Sequence, residues 1–267
     1  MMAIVLAAGM GTRLRPLTEF WPKCLMPIHE RPLLEYWLSD LFDCGVEKVL
    51  INTHHHSQQV LNFVARDCFK GRIDVYEEPE LLGTAGTIRN MAKDLNNGPT
   101  LVLHADNWVD FDLHLLLRYH HEQVGSRKVY SMSMLTFNSE NPSSAGVVVC
   151  DCDGIVNEFH EKVENPPSDV ANGAIYVLEA DVINWLVENS EISDFSVQVI
   201  PQFLGRIGAL HNNGIHRDIG TVEALLNAQN DPFRKNKASY GSDDWSEKFK
   251  KNRIHKLIEL ARSNLCN

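Results

Sequence analysis

The sequence predicts an α/β protein, a three-layer α/β/α sandwich around a mostly parallel, Rossmann-like mixed sheet. Two observations support this prediction. Strand-like and helix-like segments alternate through residue 104, and such alternation is typical of parallel sheets whose two faces are covered by helices. The second half of the chain is richer in strand-like segments, so we expect a mixed sheet.

Hydrophobic periodicity defines the elements of the first half. The continuously apolar segment Ile4–Ala7 predicts a buried first strand, and the apolar face of Pro32–Cys44 predicts a helix that ends at Gly45. The other predicted elements of this half are the strands Lys48–Asn52, Ile73–Tyr76 and Thr100–His104 and the helices Ser57–Phe69 and Thr84–Leu95.

In the second half, apolar or alternating segments predict further strands, and Asp151–Gly154 is a plausible hairpin turn between two of them. The predicted strands are Val129–Thr136, Gly146–Cys150, Ile155–Phe159, Ala174–Leu178 and Gly205–Leu210, and the predicted helices are Ser196–Phe203 and Gly220–Asn227. No internal repeat is visible, and in particular no hexapeptide pattern of a left-handed β-helix.

Residues 231–267 differ in character and are predicted to be a C-terminal helical extension. The polar stretch Asp231–Gly241 is followed by apolar residues at helical spacing, namely Ile254, Leu257, Ile258, Ala261 and Leu265. We expect an amphipathic helix docked on the body. A helix that binds a partner or forms a homodimer is the open alternative, and acidic residues before the stripe disfavour a membrane-surface helix.

Composition limits the classes of partner. The formal net charge is −10, which disfavours general nucleic-acid binding because that needs a broad basic face. Small anionic substrates remain compatible, since a few cations can form a local positive pocket. No window approaches the ~18 apolar residues of a membrane span. The six cysteines contain no CxxC pair, which predicts reduced thiols in a cytoplasmic protein.

The first strand leads directly into a glycine-containing loop, Ala8-Gly9-Met10-Gly11-Thr12-Arg13-Leu14. Small residues at a strand end let backbone amides approach phosphate oxygens closely. No Gly-Lys-Ser/Thr follows, so this is not a Walker A loop, and Leu14 stands where the dinucleotide fingerprint has its third glycine. Taken alone, the pattern is also compatible with a tight turn.

A lysine between two prolines strengthens the phosphate interpretation. Lys23 lies in Pro22-Lys23-Cys24-Leu25-Met26-Pro27, an apolar background that is unusual for a solvated surface charge. Arg13 and Lys23 together could neutralise a triphosphate, because a guanidinium fork and a compact ammonium both suit phosphate oxygens.

The sequence resembles the sugar-1-phosphate nucleotidyltransferases over about residues 1–230. The motifs that carry the resemblance occur in the family's order and are Ala7–Leu14 with Pro22-Lys23, Leu82-Gly83-Thr84-Ala85-Gly86, His104-Ala105-Asp106-Asn107, Glu161-Lys162 with Ala171-Asn172-Gly173, and Asp218-Ile219-Gly220-Thr221. The resemblance implies that residues 1–230 form a nucleotidyltransferase domain. It also implies that the substrates are a nucleoside triphosphate and a sugar 1-phosphate.

The resemblance assigns candidate roles residue by residue. Catalysis falls to Arg13, Lys23 and Asp106, and Mg2+ binding to Asp106 and Asp218. The implied nucleotide-binding residues are Leu6, Ala8, Gly9, Gly11, Thr12, Arg13, Lys23, Gly83, Thr84 and Asp106. The implied sugar-phosphate residues are Gly146, Glu161, Lys162 and Asn172.

Physical chemistry is consistent with these roles, although each carboxylate also has a structural interpretation. Attack of a sugar phosphate on an α-phosphate brings two polyanions together, so it needs cations and fixed donors more than a general base. Asp106 follows a strand at the carboxyl edge, where open α/β sheets bind ligands. Asp106 could instead serve in a turn, and Asp218 could cap the helix Gly220–Asn227.

Several alternatives stay open at this point. The Gly83-Thr84-Ala85-Gly86 loop resembles the guanylyl-transferring branch of the family more than the thymidylyl branch, which implies GTP, with UTP or dTTP as alternatives; the sugar is not specified. An inactive regulatory relative would usually lack one of the charged site residues, all of which are present. A glycosyltransferase would usually show an Asp-x-Asp motif directly after the central strand, whereas the Asp110 and Asp112 pair lies beyond it. His54-His55-His56 is not predicted to bind metal, because consecutive residues point apart.

Overall fold

The computed structural model describes residues 1–127, 129–232 and 240–265. Within these ranges, nine strands form one central mixed sheet with helices on both of its faces. Two short two-stranded ribbons accompany the sheet. The predicted α/β class with a mixed, Rossmann-like sheet is therefore confirmed.

The elements are numbered in chain order. The strands are β1 (Met2–Leu6), β2 (Pro27–Ile28), β3 (Arg31–Pro32), β4 (Lys48–Thr53), β5 (Ile73–Glu77), β6 (Thr100–His104), β7 (Asn107–Val109), β8 (Met132–Asn138), β9 (Gly146–Cys150), β10 (Val156–Glu161), β11 (Val170–Leu178), β12 (Ile207–Asn212) and β13 (His216–Asp218). The helices are α1 (Leu33–Asp43), α2 (Ser57–Val64), α3 (Gly83–Met91), α4 (Leu113–Ser126), α5 (Ala180–Glu188), α6 (Val222–Asn230), α7 (Asp244–Lys250) and α8 (Arg253–Leu265).

The sheet joins a parallel half to a mixed half. Strands β5, β4, β1 and β6 lie side by side and run parallel. The long strand β11 pairs antiparallel with β6, and it also contacts β8 and β9. Strand β12 runs parallel to β8, and β10 completes a hairpin with β9. The carboxyl ends of β1, β4 and β6 thus meet at one edge, where α/β sheets bind ligands.

Burial on both faces explains the continuous apolar character of β1. Ala3 and Val5 belong to the core on one face of the sheet, while Ile4 between them belongs to the core on the other. Successive residues of a strand point to opposite faces, so a central parallel strand must be apolar at every position.

Three predicted helices are shorter or less regular in the structure. The helix predicted over Ser57–Phe69 ends at Val64, because Arg66 adopts an extended backbone conformation before the 3-10 turn Asp67–Phe69. The helix predicted over Thr84–Leu95 becomes 3-10 after Met91. The helix predicted over Ser196–Phe203 is a π turn followed by a 3-10 turn that contains a proline, and proline lacks the N–H of a regular helix.

The C-terminal helices pack on the body of the same chain. Ile254 and Ile258 are buried in the larger core cluster, so the predicted docking of the stripe is confirmed for these two residues. Phe249, which precedes the stripe, is buried in the same cluster. The side chain of Leu265 lies outside the described residues. The division of the chain at residue 230 and a homodimer both stay predictions. Among the described helices, none combines the length and the apolar character needed to cross a membrane.

Truncating Ile258 should destabilise the fold through a cavity at this contact. Ile258 is 3% exposed, and Ile258→Ala should lower the free energy of unfolding by about 2–5 kcal/mol. Leu260→Ala is the matched control on the same helix, because Leu260 is 61% exposed and surface changes usually stay within about 0.5 kcal/mol. Urea denaturation measures both values, and equal midpoints for the two variants would contradict the packing.

Candidate active site

A tight loop follows the first strand of the sheet. The Ala7 amide donates to Asn52 Oδ1 at 2.7 Å, which fixes the end of β1 against β4. Gly11 has a left-handed φ of 59°, and the Thr18 hydroxyl donates to its carbonyl at 2.9 Å. A Cβ on Gly11 would lie 2.7 Å from Thr18 Cγ2. The loop can therefore close on itself only with glycine at this position.

Lys23 lies between two carboxylates that come from distant parts of the chain. Its Nζ donates to Asp106 Oδ2 at 2.6 Å and to Asp218 Oδ1 at 2.8 Å. The Lys23 side chain is 9% exposed, whereas Asp106 and Asp218 keep 31% and 47% of their side-chain surface exposed. The ammonium is thus buried beneath two carboxylates that still face the cleft.

Two short strands bring the carboxylates together. Asp106 lies between β6 and β7, and Asp218 is the last residue of β13. β13 pairs with β7 and sets Asp218 opposite Asn107, while the Ile219 amide donates to the Asp106 carbonyl at 3.0 Å. This ribbon lies at the sheet edge defined by β6, and the sequence pattern did not predict it.

The electrostatics keep Lys23 and Asp106 charged. Burial alone would lower the pKa of Lys23, but the adjacent Asp106 and Asp218 carboxylates raise it above its ordinary value. Burial alone would raise the pKa of Asp106, but Lys23 holds it below its usual range. Burial also lowers the pKa of the nearby His104, which is therefore neutral at pH 7. The ammonium and the two carboxylates together carry one surplus negative charge, which the Arg13 guanidinium beside Asp218 offsets.

Arg13 completes the charged centre from the loop after β1. Its Nη2 lies 3.3 Å from Asp218 Oδ2, and its side chain is 70% exposed. An exposed ion pair of this kind contributes little to stability, so the guanidinium is available to an anionic ligand. Gly220 permits this placement, because a Cβ there would lie 2.9 Å from Arg13 Nη2.

The carboxylates fit the predicted magnesium ion as ligands. Magnesium prefers oxygen donors and is usually held by one or two carboxylates together with substrate phosphates and water. Asp106 and Asp218 contact one ammonium between them, so a single cation can reach both. In the described part of the chain, no cluster of three or more His, Cys, Asp or Glu side chains is arranged as a metal site.

The end of β1 and the start of α3 enclose a small cavity of about 190 Å³. Six residues predicted to bind nucleotide line it, namely Leu6, Ala8, Gly9, Gly83, Thr84 and Asp106. Gly11, Thr12, Arg13 and Lys23 lie on the adjoining loop, with Thr12 opening a 3-10 turn. The structure therefore brings the predicted nucleotide residues to one region.

The same cavity has polar residues that the sequence analysis did not single out. Glu78 and Asn52 line it together with Thr87 and His104. Glu78 Oε1 accepts hydrogen bonds from Asn52 Nδ2 at 3.0 Å and from the Thr87 hydroxyl at 2.6 Å. The sequence could have pointed to Asn52 and Glu78, because they lie near the carboxyl ends of β4 and β5, where α/β sheets bind ligands. The network fixes a buried carboxylate in the wall of the cavity.

A larger cavity of about 840 Å³ opens on the other side of the charged centre. Arg13, Lys162 and Asp218 line it, so three predicted residues face one space. Sequence reasoning missed His216, which also lines this cavity and stacks on Phe137 with ring centroids 4.0 Å apart. Burial lowers the pKa of His216 to about 3, so the imidazole is neutral.

The other predicted sugar-phosphate residues lie beside this cavity and not in its wall. Glu161 pairs with Lys162 at 2.8 Å. Gly146 has no room for a side chain, since a Cβ would lie 2.6 Å from Glu161 Oε2. Asn172 donates to the Tyr176 hydroxyl at 2.7 Å and accepts from the Ala174 amide at 3.0 Å. In this arrangement the Asn172 side chain shapes β11.

The consecutive histidines contact backbone carbonyls, and the expectation that they point apart was wrong for two of them, because the ring centroids of His55 and His56 lie 4.0 Å apart. His55 Nε2 and His56 Nε2 lie 2.8 Å and 3.0 Å from the Thr18 carbonyl oxygen, and His54 Nδ1 lies 2.7 Å from the carbonyl of Glu78. Asp112 caps α4 by accepting from the His114 amide at 3.0 Å, which gives one member of the Asp110 and Asp112 pair a structural role.

Comparison with known proteins identifies a family whose model covers most of the chain. The family model described as nucleotidyl transferase matches residues 2–234. The mannose-1-phosphate guanylyltransferase of Mycobacterium tuberculosis is 31% identical over 87% of this chain and 64% of its own length. The UTP–glucose-1-phosphate uridylyltransferase of Synechocystis is 31% identical over 72% of this chain and 52% of its own length. The chain thus spans about half to two thirds of these relatives.

A solved structure shares the fold. A putative glucose-1-phosphate thymidylyltransferase from Bacillus anthracis, in complex with a sucrose, superposes with a TM-score of 0.76 at 21% identity. The match covers 92% of this chain and 99% of that one.

Replacing Gly11 by alanine should destabilise the protein, whereas replacing Gly9 should not. Gly11→Ala forces a left-handed backbone on alanine and a contact with Thr18, at a cost of at least about 1 kcal/mol. A Cβ on Gly9 meets nothing within 4 Å, so Gly9→Ala is the matched control. Thermal unfolding distinguishes them, and equal melting temperatures would contradict the loop geometry.

Proposed function

The chain belongs to the nucleotidyl transferase family, and on that premise we propose that it joins a nucleoside triphosphate to a sugar 1-phosphate. The products are a nucleoside diphosphate sugar and pyrophosphate. The observation that carries the proposal is the contact of Lys23 with both Asp106 and Asp218, which sets a charged centre between the two cavities. One cavity takes the nucleotide and the other the sugar phosphate.

The reaction is a substitution at the α-phosphorus. An oxygen of the sugar phosphate forms the new P–O bond, the bond between the α-phosphorus and the α–β bridging oxygen breaks, and its electron pair leaves with pyrophosphate. The nucleophile is already ionised at neutral pH, so no general base is required. Catalysis then consists of alignment and charge stabilisation.

Arg13 and Lys23 supply the positive charge. Arg13 lines the larger cavity and contacts Asp218, so it lies where the two anionic substrates meet. Its guanidinium offers paired donors to phosphate oxygens, and the Lys23 ammonium adds a compact charge. Lys162 also lines the larger cavity and would bind the phosphate of the sugar.

Mg2+ is the proposed cofactor, and Asp106 and Asp218 would hold it. When bound, the ion neutralises charge on the phosphates and helps to orient them. The Lys23 ammonium contacts the same two carboxylates, so it keeps them together and partly neutralised until a cation binds.

GTP is the proposed nucleotide, and Glu78 provides a physical reason. Its carboxylate lies in the wall of the smaller cavity, and an ionised carboxylate only accepts hydrogen bonds. Guanine presents two adjacent donors, N1–H and N2–H, whereas uracil and thymine present one N–H between two carbonyl oxygens. UTP and dTTP are the alternatives, and relatives of both the guanylyl and the uridylyl type match the chain.

An active enzyme is favoured over an inactive relative. Arg13, Lys23, Asp106 and Asp218 are all present and form one connected cluster. Such a cluster concentrates charge at the mouth of a cleft, which a purely structural role does not require. A cytoplasmic location remains a prediction.

Pyrophosphate release tests the proposal. The protein is incubated with each of four nucleoside triphosphates, a panel of sugar 1-phosphates and Mg2+. We expect GTP to be used with the highest kcat/KM, and Glu78→Gln to lower the GTP-to-UTP ratio at least about tenfold, because the new amide can donate to a pyrimidine carbonyl. Absence of pyrophosphate with every pair would overturn the proposal.

Both carboxylates should be required for turnover. Asp106→Asn and Asp218→Asn keep the side-chain volume and remove the charge, so each should lower kcat by at least about 100-fold. Removing Mg2+ with a chelator should abolish wild-type turnover. Steady-state kinetics measures these effects, and turnover close to wild type in both variants would exclude the metal assignment.

The two lysines should produce different kinetic phenotypes. Lys23→Ala removes charge beside the nucleotide cavity, so it should mainly weaken use of the triphosphate. Lys162→Ala removes charge from the larger cavity, so it should mainly raise the KM of the sugar phosphate. Titration of each substrate distinguishes the two, and the reversed pattern would show that the cavities are assigned the wrong way round.

A further inference from the structure

The loop that carries Lys23 has little regular structure of its own. Between β1 and β2 the chain forms only three short 3-10 turns, over Thr12–Leu14, Leu17–Glu19 and Lys23–Leu25. No ladder of sheet hydrogen bonds therefore fixes where Lys23 lies. At the Thr18 end, the loop is held by the imidazoles of His55 and His56 at the Thr18 carbonyl.

The other end of the loop packs on the C-terminal helices. The ring of Trp21 lies 5.9 Å from that of Phe249, and Phe249 stacks on Trp245 at 5.0 Å with an interplanar angle of 17°. The Arg253 guanidinium lies 4.6 Å from the centre of the Phe20 ring. Two successive aromatic residues of the loop thus rest on α7 and the start of α8.

Trp21 transmits this packing to the turn that contains Lys23. Its indole Nε1 donates to the Leu25 carbonyl at 2.9 Å, which spans the turn from one side to the other. Cys24 between them is 2% exposed, and burial raises the pKa of its thiol to about 12. The turn is therefore a packed unit whose position follows that of the Trp21 ring.

The C-terminal helices are in turn fixed to the sheet body through a buried arginine. Arg66 Nη1 donates to Glu35 Oε2 at 2.5 Å, and Arg66 Nε donates to Asp243 Oδ2 at 2.7 Å. Asp243 also caps α7, and Trp245 packs edge-on against Phe63 at 4.9 Å. Helix α7 thus has a defined position on α1 and α2, and it can act as a fixed support.

We infer that α7 and the start of α8 position the Lys23 loop, with Phe249 and Trp21 as the positioning residues. This inference rests on the proposed function for the role of Lys23. It assigns a role in nucleotide use to a segment that lies beyond residues 2–234, the span of the family model. Phe249 lines neither of the two active-site cavities, and none of its contacts within the described part of the chain is with Lys23 or its two carboxylates. It would therefore act through its contact with Trp21.

The positioning role has a specific kinetic signature. Removing the Phe249 ring leaves Trp21 without its support, so Lys23 shifts relative to Asp106 and Asp218. A displacement of about 1 Å at a catalytic group can lower turnover by up to about 100-fold. Because Lys162 belongs to a different part of the sheet, the KM of the sugar phosphate should not change.

The test compares two buried phenylalanines. Phe203 is 3% exposed, as is Phe249, and it packs on Trp185 at 5.7 Å in the other core cluster. Phe249→Ala and Phe203→Ala are assayed in the full chain, at least about 20 °C below both melting temperatures. We expect Phe249→Ala to lower kcat/KM for the triphosphate at least about tenfold and to leave the KM for the sugar phosphate unchanged. Phe249→Tyr should restore kcat/KM for the triphosphate. Phe203→Ala should leave both kcat/KM for the triphosphate and the KM for the sugar phosphate within about twofold of wild type.

Amide hydrogen exchange provides a readout that does not depend on turnover. The Leu25 and Met26 amides donate to Pro22 and Lys23 carbonyls, and their exchange reports on the turn. Phe249→Ala should accelerate the exchange of these two amides, and Phe203→Ala should leave it unchanged. If Phe249→Ala does not fold, Phe249→Leu and Trp21→Phe serve instead. Equal exchange and equal kinetics in the two alanine variants would overturn the inference. Faster exchange in Phe249→Ala with no transfer activity in the wild type would refute only the proposed function.

Discussion

The contact of one buried ammonium with two carboxylates is the constraint on which the site depends. Lys23 is separated by 83 residues from Asp106 and by 195 residues from Asp218, so the three side chains meet only when both halves of the sheet are in place. Burying the ammonium without these partners would carry a large desolvation cost. The fold and the charged centre therefore require each other, and Lys23 links the loop after β1 to the β7–β13 ribbon.

This arrangement divides the cleft into two chemically different parts. On one side, the ends of β1 and β6 and the start of α3 form a narrow cavity with a fixed carboxylate, Glu78. On the other side, a cavity about four times larger contains Lys162 and His216. Asp218 lines the larger part and Asp106 the smaller one, and Lys23 contacts both carboxylates. A polyanion bound in each part would present its reacting phosphate to the same cluster of charges, which is the geometry that a phosphoryl substitution needs.

The sequence predicted the regular parts of this structure better than the irregular ones. Thr100–His104 and Gly146–Cys150 have the predicted bounds, because buried strands are short apolar runs that end at polar residues or glycine. The three-residue strands β7 and β13 were not predicted, since their pairing is a tertiary contact with no local periodicity. The motif residues Arg13, Lys23, Asp106, Lys162 and Asp218 lie around one cleft, and the roles that the resemblance implies for them stay predictions. Glu78 and Asn52 were missed, although polar residues near strand ends could have been considered. The direction of the Asn172 side chain depends on Tyr176 and on the irregular course of β11, which no spacing rule specifies.

The most direct test is a crystal structure of the protein with Mg2+ and a GTP analogue whose α–β bridging oxygen is replaced by a methylene group. The account predicts the base beside Glu78, the metal ion on the Asp106 and Asp218 carboxylates, and the Lys23 ammonium within hydrogen-bond distance of a phosphate oxygen. Triphosphate density in another cleft, with Lys23 still bound to both carboxylates and no metal between them, would contradict it.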